Sequence, residues 1–207
     1  GQFQKVTNNV QRNARLGWSN SYVHILRAYK SWFVQTPFVQ SNTRLRMNIF
    51  YLHKDPEKAA RYQYNKHVVK MILESAQMLC TAHHCIMGDD ADVPYKPAHR
   101  NHPSTKWARQ SGENYAWLYY HMMELGREYE KRYGKKHLSI IKCEDPLSIL
   151  PGGILETGLT EMPQCMPDEY KDECSIQAYW NYYINDKKKI ANLKTETLYE
   201  ERPETTY

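Results

Sequence analysis

A histidine and a glutamate seven residues apart have the clearest chemical potential in this sequence. His67 and Glu74 lie in the stretch NKHVVKMILESAQMLC, residues 65–80, whose apolar spacing predicts a helix. Seven residues make two helical turns, so both side chains point the same way, roughly 10 Å apart along the axis. They cannot bond each other, but both can contact one ligand. Since an imidazole and a carboxylate can move protons, the row could belong to an active site, in which Lys70 and Gln77 would bind substrate beside His67 and Glu74.

The same row can also be interpreted as the solvated face of a surface helix. Lys70 and Glu74 have the spacing of an ordinary ion pair on such a helix. Met71 and Met78 flank the row and favour a covered face, so both interpretations stay open. The opposite side of the helix is then predicted to be its buried stripe, formed by Val68, Val69, Ile72, Leu73, Ala76, Leu79 and Cys80.

A second candidate binding region precedes the next predicted helix. Asn101 and His102 lie where backbone N–H groups could face an anion, although capping of the helix explains them equally well. Arg109 belongs to a local basic patch with Arg100 and Lys106. We therefore predict that Asn101, His102 and Arg109 bind substrate.

An aromatic cluster near the end of the chain is a third candidate. Tyr179, Trp180 and Tyr183 are followed by three consecutive lysines at 187–189. Rings beside cations suit stacking on bases and neutralising phosphates. Some of these rings lie on alternate helix faces and must be buried, but we predict that the cluster contributes to substrate binding.

Neither a metal site nor a membrane segment is predicted. Cys80, His83, His84 and Cys85 lie close together in sequence but fit no standard zinc spacing. Five cysteines without a Cys-x-x-Cys pair argue against a disulfide framework and for a reducing cytoplasm. No apolar run reaches the roughly 18 residues that a membrane-spanning helix needs.

Charge is unevenly distributed along the 207 residues, whose formal net charge is +5. Residues 1–46 contain seven Lys or Arg and no Asp or Glu, which leaves 21 basic and 23 acidic residues, a net charge of −2, for the rest. This basic N-terminal extension could be a DNA-binding arm, a targeting segment, or sequence upstream of a native start at Met47. We favour the third interpretation because position 1 is not methionine.

The helix signals predict a mostly α fold, a compact bundle of about three long helices. Asp55, Pro56 and Glu57 have the order that is typical of a helix start. A break is expected near Asn65, and Gly134 is expected to stop the second helix. The three helical regions are predicted from Pro56 to about Gly88, from Ser104 to Tyr133, and from about Pro167 to Lys194.

The remaining segments are predicted to be irregular. Residues 142–167 hold four prolines and three glycines, which predicts one long irregular loop. Residues 47–52 form at most a short N-terminal strand. We expect residues 47–194 to be a single helical domain and residues 195–207 to be a flexible tail.

From Met47 onwards the chain resembles a group of small marine bacteriophage proteins with the pattern Asp or Asn, then Lys-His-Val-Val-Lys-Met-Ile-Leu-Glu. It is more distantly similar to the phage pyrimidine-dimer DNA glycosylases of the endonuclease V type. Those enzymes have Asp-x-His followed by a Glu seven residues after the His, a spacing that Asn65, His67 and Glu74 reproduce. The resemblance extends to the basic helix end at 124–134 and the aromatic cluster at 179–183.

This resemblance implies a compact fold of three helices and a glycosylase/lyase reaction on double-stranded DNA with a damaged or modified pyrimidine. The α-amino group of Met47 or Asn48 would attack C1′, a Schiff base would form, and β-elimination would nick the strand, without any cofactor. Glu74 would stabilise the iminium and shuttle protons, and His67 would hold the sugar or phosphate. The family's DNA-gripping arginines correspond to Leu73 and Gln77 here.

The predicted partner is DNA, bound by a monomer in the cytoplasm of an infected bacterial host. Two other functions stay open on the same fold. One is a non-catalytic module that binds nucleic acid or a host protein, and the other is a hydrolase or transferase acting on nucleotides.

Overall fold

The computed structural model describes residues 47–190, of which 61% are helical and none forms a strand. The predicted mostly α fold is therefore confirmed. The predicted extension 1–46 and tail 195–207 lie outside the described residues. The α-helices are α1 (Pro56–Arg61), α2 (Asn65–Met87), α3 (Pro103–Ala108), α4 (Gly112–Tyr133), α5 (Leu138–Leu147) and α6 (Ser175–Asn185), with 3-10 turns at Gly88–Asp90, Asp168–Tyr170 and Lys187–Ile190.

The start of α1 is the one that the sequence predicts. Asp55 caps the helix by accepting the backbone N–H groups of Glu57 and Lys58 at 2.8 and 3.1 Å, and Pro56 occupies the first turn. The chain breaks after α1, and α2 begins at Asn65, as expected. Helices α2 and α4, of 23 and 22 residues, form the centre of the fold.

The predicted second helix is two helices in the structure. Ser111 interrupts it because its hydroxyl accepts the N–H of Asn114 at 3.1 Å and so caps a new helix, α4. The N–H of Gly112, free in the first turn, bonds the carbonyl of Leu155 at 2.8 Å. The predicted end is correct, since Gly134 follows α4 with a φ of +69°.

The predicted loop 142–167 is wrong at its start, because α5 extends to Leu147. Pro146 lies in the last turn, so the helix continues for only one residue beyond the proline that lacks a backbone N–H. Gly126 on α4 allows α5 to approach closely, since an added Cβ would lie 2.7 Å from the side chain of Ile140. Residues 148–167 are irregular as predicted.

The predicted third helix is also shorter than expected. The predicted range runs from Pro167 to Lys194, and of its described residues, which end at Ile190, Ser175–Asn185 are α-helical. The 3-10 turn Asp168–Tyr170 ends before it, and the second 3-10 turn, Lys187–Ile190, follows it. The bundle therefore contains two long helices and several shorter ones.

The described part of the chain encloses its own core. The second of two compact units begins at Leu45, and the buried apolar side chains lie within it. Among the described residues no helix is long and apolar enough to cross a membrane.

Candidate active site

The carboxylate of Glu74 is the centre of the candidate site. Glu74 is only 8% exposed, and its Oε2 accepts the backbone N–H of Asn48 at 3.2 Å. Its Oε1 lies 3.0 Å from the ammonium of Lys70, whose side chain is 53% exposed. One carboxylate therefore joins a buried backbone nitrogen to a cation at the surface.

The segment before α1 brings that nitrogen to the carboxylate. Residues 47–52 do not form a strand, because the side chain of Asn48 closes a tight turn there. Its Oδ1 accepts the N–H groups of Ile49 and Phe50 at 2.8 and 3.2 Å, and Phe50 has a φ of +55°. Met47 is buried, and the hydroxyl of Thr105 lies 3.6 Å from its sulfur.

His67 is buried beside this segment and is neutral at pH 7. Its ring stacks on Phe50 with centroids 4.2 Å apart, and its Nδ1 lies 2.8 Å from the hydroxyl of Tyr183. Burial, together with the charges of Lys187 and Lys70, lowers the pKa of His67 to about 3. A neutral ring offers a ligand a hydrogen bond but no positive charge.

The interpretation of the His67 row as a solvated face is wrong for His67 and Glu74, although Lys70 is exposed and forms the expected ion pair with Glu74. His67 is 6% exposed, and Glu74 is almost as deeply buried. The predicted core stripe is wrong at Val69 and Leu73, which are 37% and 38% exposed. The buried face of α2 is rotated from the expected one because residues 47–50 and α6 pack on the His67 side. The exposed stripe of this half of the helix is thus formed by Lys66, Val69, Lys70 and Leu73, with Gln77 half-buried.

The candidate anion-binding residues of α3 are placed as helix-terminus residues. Asn101 is exposed, and His102 caps α3 by accepting the N–H of Ser104 at 3.2 Å. Burial, with a smaller contribution from His99, lowers the pKa of His102. Arg109 bonds back to the carbonyl of Thr105 at 3.1 Å. Of the two interpretations of His102, the structure favours capping.

The aromatic cluster of α6 lies largely inside the protein. Tyr179 is fully buried, and Tyr183 is 1% exposed. Half-buried Trp180 donates its indole N–H to the carbonyl of Leu52 at 2.9 Å, and the hydroxyl of Tyr183 accepts the N–H of Tyr64 at 2.7 Å. These rings hold the segments around the site, and burial keeps the two tyrosine rings from stacking on a base.

The residues that sequence reasoning missed are Asn48 and Cys165. The Nδ2 of Asn48 donates to the carbonyl of Cys165 at 2.9 Å, across 117 positions of sequence. A backbone carbonyl in an irregular loop carries no signal in the sequence. The sequence indicates Asn48 only as a possible source of the α-amino group and does not predict the contacts of its side chain.

A metal cluster is not found in residues 47–190, where no three His, Cys, Asp or Glu side chains converge. The histidines considered as metal ligands contact other groups of the protein instead. His83 lies 2.8 Å from the hydroxyl of Tyr115, and His84 lies 3.0 Å from the carbonyl of Tyr95. The contact between Glu74 and the nitrogen of Asn48 suits acid–base chemistry of a carboxylate.

Comparison with known proteins agrees with this geometry. Residues 47–141 match the family model of pyrimidine dimer DNA glycosylases. The matched range includes Asn48, His67 and Glu74 but ends before Cys165 and Tyr183. No curated protein and no solved structure matches the chain. Over the part that contains its buried carboxylate, the chain is thus similar to the pyrimidine dimer DNA glycosylases.

Proposed function

We propose that this protein is a DNA glycosylase with lyase activity, which acts on a damaged or modified pyrimidine in double-stranded DNA. The family match supports a glycosylase-type function. The observation that carries the proposal is the 3.2 Å distance between the backbone nitrogen of Asn48 and Oε2 of Glu74. In a chain that begins at Asn48, this nitrogen is the α-amino group.

The first step is the attack of that amine on C1′ of the damaged nucleotide. An α-amine has a pKa of about 7.7 to 8.0, so a useful fraction is uncharged at neutral pH. The N–C1′ bond forms as the glycosidic bond breaks, and the base leaves with a proton from water. The proton that the nitrogen loses passes to Glu74. Glu74 then gives it to O4′ as the C1′–O4′ bond breaks, which leaves a protonated Schiff base.

Elimination follows from the same carboxylate. Glu74, ionised again, takes a proton from C2′, and the C3′–O bond breaks so that the 3′ phosphate leaves. Water then adds to the iminium carbon and releases the sugar aldehyde, which regenerates the amine. Apart from the protonation of the departing base, each proton transfer in this sequence needs one group close to the nitrogen, and the Oε2 of Glu74 lies 3.2 Å from it.

His67 and Lys70 have supporting roles in the proposal. Because the hydroxyl of Tyr183 accepts the N–H of Tyr64, its own proton is available to Nδ1 of His67. The ring proton of His67 is then on Nε2, which can donate to a sugar or phosphate oxygen. Lys70, half exposed beside Glu74, can neutralise a DNA phosphate.

Borohydride trapping on DNA with an abasic site tests the proposal. Three proteins are compared: one released by a protease so that it begins at Asn48, one that begins at Met47, and the 207-residue chain. We expect the strongest covalent adduct from the first, a weaker one from the second because its amine is one residue farther along, and none from the third. The proposal fails if none of the three forms an adduct, or if all three do so equally.

A second candidate function is a DNA-binding module without turnover. It is favoured by the peptide bond that Asn48 forms with Met47 in the 207-residue chain, since an amide nitrogen is not a nucleophile. This function predicts DNA binding that Glu74→Gln leaves unchanged and no adduct from any of the three proteins.

A further inference from the structure

The side chain of Asn48 is hydrogen-bonded through both its oxygen and its nitrogen. It is 3% exposed. Its oxygen accepts two backbone N–H groups, from Ile49 and Phe50, and its nitrogen donates to the carbonyl of Cys165. A buried amide satisfied on both sides is fixed in orientation, because any rotation leaves a polar group without a partner.

This fixed amide determines where the backbone of residue 48 points. The two bonds to Oδ1 close a tight turn in which Phe50 takes a left-handed conformation, with a φ of +55°. That conformation is unfavourable for a bulky residue and persists only where its surroundings hold it. The ring of Phe50 is held by stacking on His67 and by an edge contact with Tyr183, 5.2 Å away.

The carbonyl that anchors Asn48 is itself held firmly. The N–H of Cys165 points to the hydroxyl of Tyr179 at 3.4 Å, and that hydroxyl donates to the carbonyl of Pro163 at 2.8 Å. Tyr179 is fully buried in α6. The anchor therefore belongs to the part of the chain beyond residue 141, outside the family match.

We propose that Asn48 is a positioning residue, whose side chain, anchored on the carbonyl of Cys165, aims the nitrogen of residue 48 at Glu74. This inference rests on the proposed function and adds to it the side chain that orients the nucleophile. In this view one carbonyl of the loop 148–167, that of Cys165, supports the nucleophile.

The same loop is held at Thr160 by a second buried asparagine, which provides a matched control. Asn114 on α4 holds Thr160 with the same chemistry, since its Oδ1 accepts the N–H of Thr160 at 2.9 Å and its Nδ2 donates to the carbonyl of Trp107 at 2.9 Å. Asn114 is fully buried, as Asn48 nearly is. Its amide has no contact with Glu74 or Asn48. Loss of either amide loosens the loop, but only Asn48 lies next to Glu74.

The decisive experiment compares Asn48→Ala and Asn114→Ala in proteins that begin at residue 48. We expect Asn48→Ala to slow borohydride trapping about 100-fold, because a misplacement of the order of 1 Å has that effect on oriented reactants. Its Kd for the abasic duplex should stay within twofold. Asn114→Ala should lower Tm by a similar amount and leave the trapping rate unchanged. Equal slowing by both variants, or none by Asn48→Ala, would overturn the proposal.

A second variant guards against loss of the fold. Asn48→Ser keeps an acceptor for the N–H groups of Ile49 and Phe50 but loses the donor to Cys165. If anchoring on Cys165 matters, its trapping rate should fall between those of the wild type and Asn48→Ala. A wild-type rate in a folded Asn48→Ser protein would refute the anchor.

Hydrogen exchange in the 207-residue chain separates this inference from the proposed reaction. The N–H of residue 48 should exchange slowly in the wild type, because it is bonded to Glu74. It should lose this protection in Asn48→Ala and keep it in Asn114→Ala. This pattern supports the positioning role even if no protein is trapped on DNA, whereas unchanged protection in Asn48→Ala refutes it.

Discussion

Two buried histidines, His67 and His121, have similar surroundings but different hydrogen-bond partners. Both are buried, and both stack on an aromatic ring, His67 on Phe50 and His121 on Trp117 at 5.0 Å. Burial lowers the pKa of His67 to about 3 and that of His121 to about 4. By burial and charge state alone the two cannot be told apart.

Their hydrogen bonds distinguish them. The Nδ1 of His121 lies 3.1 Å from the carbonyl of Pro56 and must donate to it, so Nε2 accepts from the side chain of Gln63 at 3.1 Å. Both nitrogens of His121 are thus used inside the core. In His67, by contrast, Nδ1 accepts, which leaves the ring proton on Nε2. His67 lies on α2, the helix that also carries Glu74. The comparison teaches that hydrogen-bond partners, and not burial, distinguish a histidine that is fully used in the core from one that could contact a ligand.

The largest effect should follow from Glu74→Gln. In a protein that begins at Asn48, we expect the trapping rate on abasic DNA to fall about 10²- to 10⁴-fold, since a glutamine cannot transfer the protons. Tm should change little because the amide oxygen can still accept the N–H of Asn48. A trapping rate within threefold of the wild type would show that the carboxylate is not the proton carrier.

His121→Leu should damage the fold instead of the reaction. It removes the acceptor of Gln63, which is buried, and the donor to the carbonyl of Pro56, which is partly buried, so the free energy of unfolding should fall by about 2 to 4 kcal/mol. Urea denaturation measures the loss. The trapping rate per folded molecule should be unchanged, and a strong fall in that rate would erase the distinction between the two histidines.

Acid should destabilise the protein through both rings. Their folded pKa values, about 3 and about 4, lie below the ordinary 6.5, so the unfolded state binds more protons as the pH falls. Their stabilising contribution is complete above pH 6.5 and is lost as the pH falls toward the folded values. Each ring should contribute a slope of about 1.4 kcal/mol per pH unit. Urea midpoints from pH 7 to 4.5 measure it, and His67→Phe should reduce the slope by about 1.4 kcal/mol per pH unit.

Tyr183→Phe should have a smaller effect on both properties. It removes the hydroxyl that accepts the N–H of Tyr64 and contacts Nδ1 of His67. We expect a loss of about 1 to 3 kcal/mol of stability. The variant should also slow trapping, because the tautomer of His67 is no longer set. Tyr115→Phe is the matched control, since its hydroxyl contacts His83 in the same way but far along α2. Equal trapping rates in the two variants would argue against a role for the tautomer of His67.

Local signals in the sequence predicted the ends of helices better than their burial. The cap at Asp55 and the stop at Gly134 depend on neighbours in sequence, and both were predicted correctly. Ser111 is also a local cap, but it was hidden in a long helical pattern. The buried face of α2 was mispredicted at Val69 and Leu73 because periodicity assumes that polar residues face water.

The site itself depends on contacts that periodicity cannot contain. The seven-residue spacing correctly put His67 and Glu74 on one face of one helix. That this face is covered follows from Asn48 and Tyr183, which reach it from 26 positions before Glu74 and 116 positions after His67. No pattern in a single sequence encodes such distant pairings, whereas the order of motifs shared with a family did indicate the site.

Lys70→Gln should give the smallest change in stability and the most specific change in binding. Lys70 is half exposed, so its ion pair with Glu74 contributes less than about 1 kcal/mol. If Lys70 contacts a phosphate, the slope of log K against log salt for duplex DNA should become shallower by about 0.9. Lys142, an exposed lysine on α5, provides the control, and Lys142→Gln should leave the slope unchanged. Equal slopes for wild type and Lys70→Gln would place the DNA backbone away from the exposed face of α2.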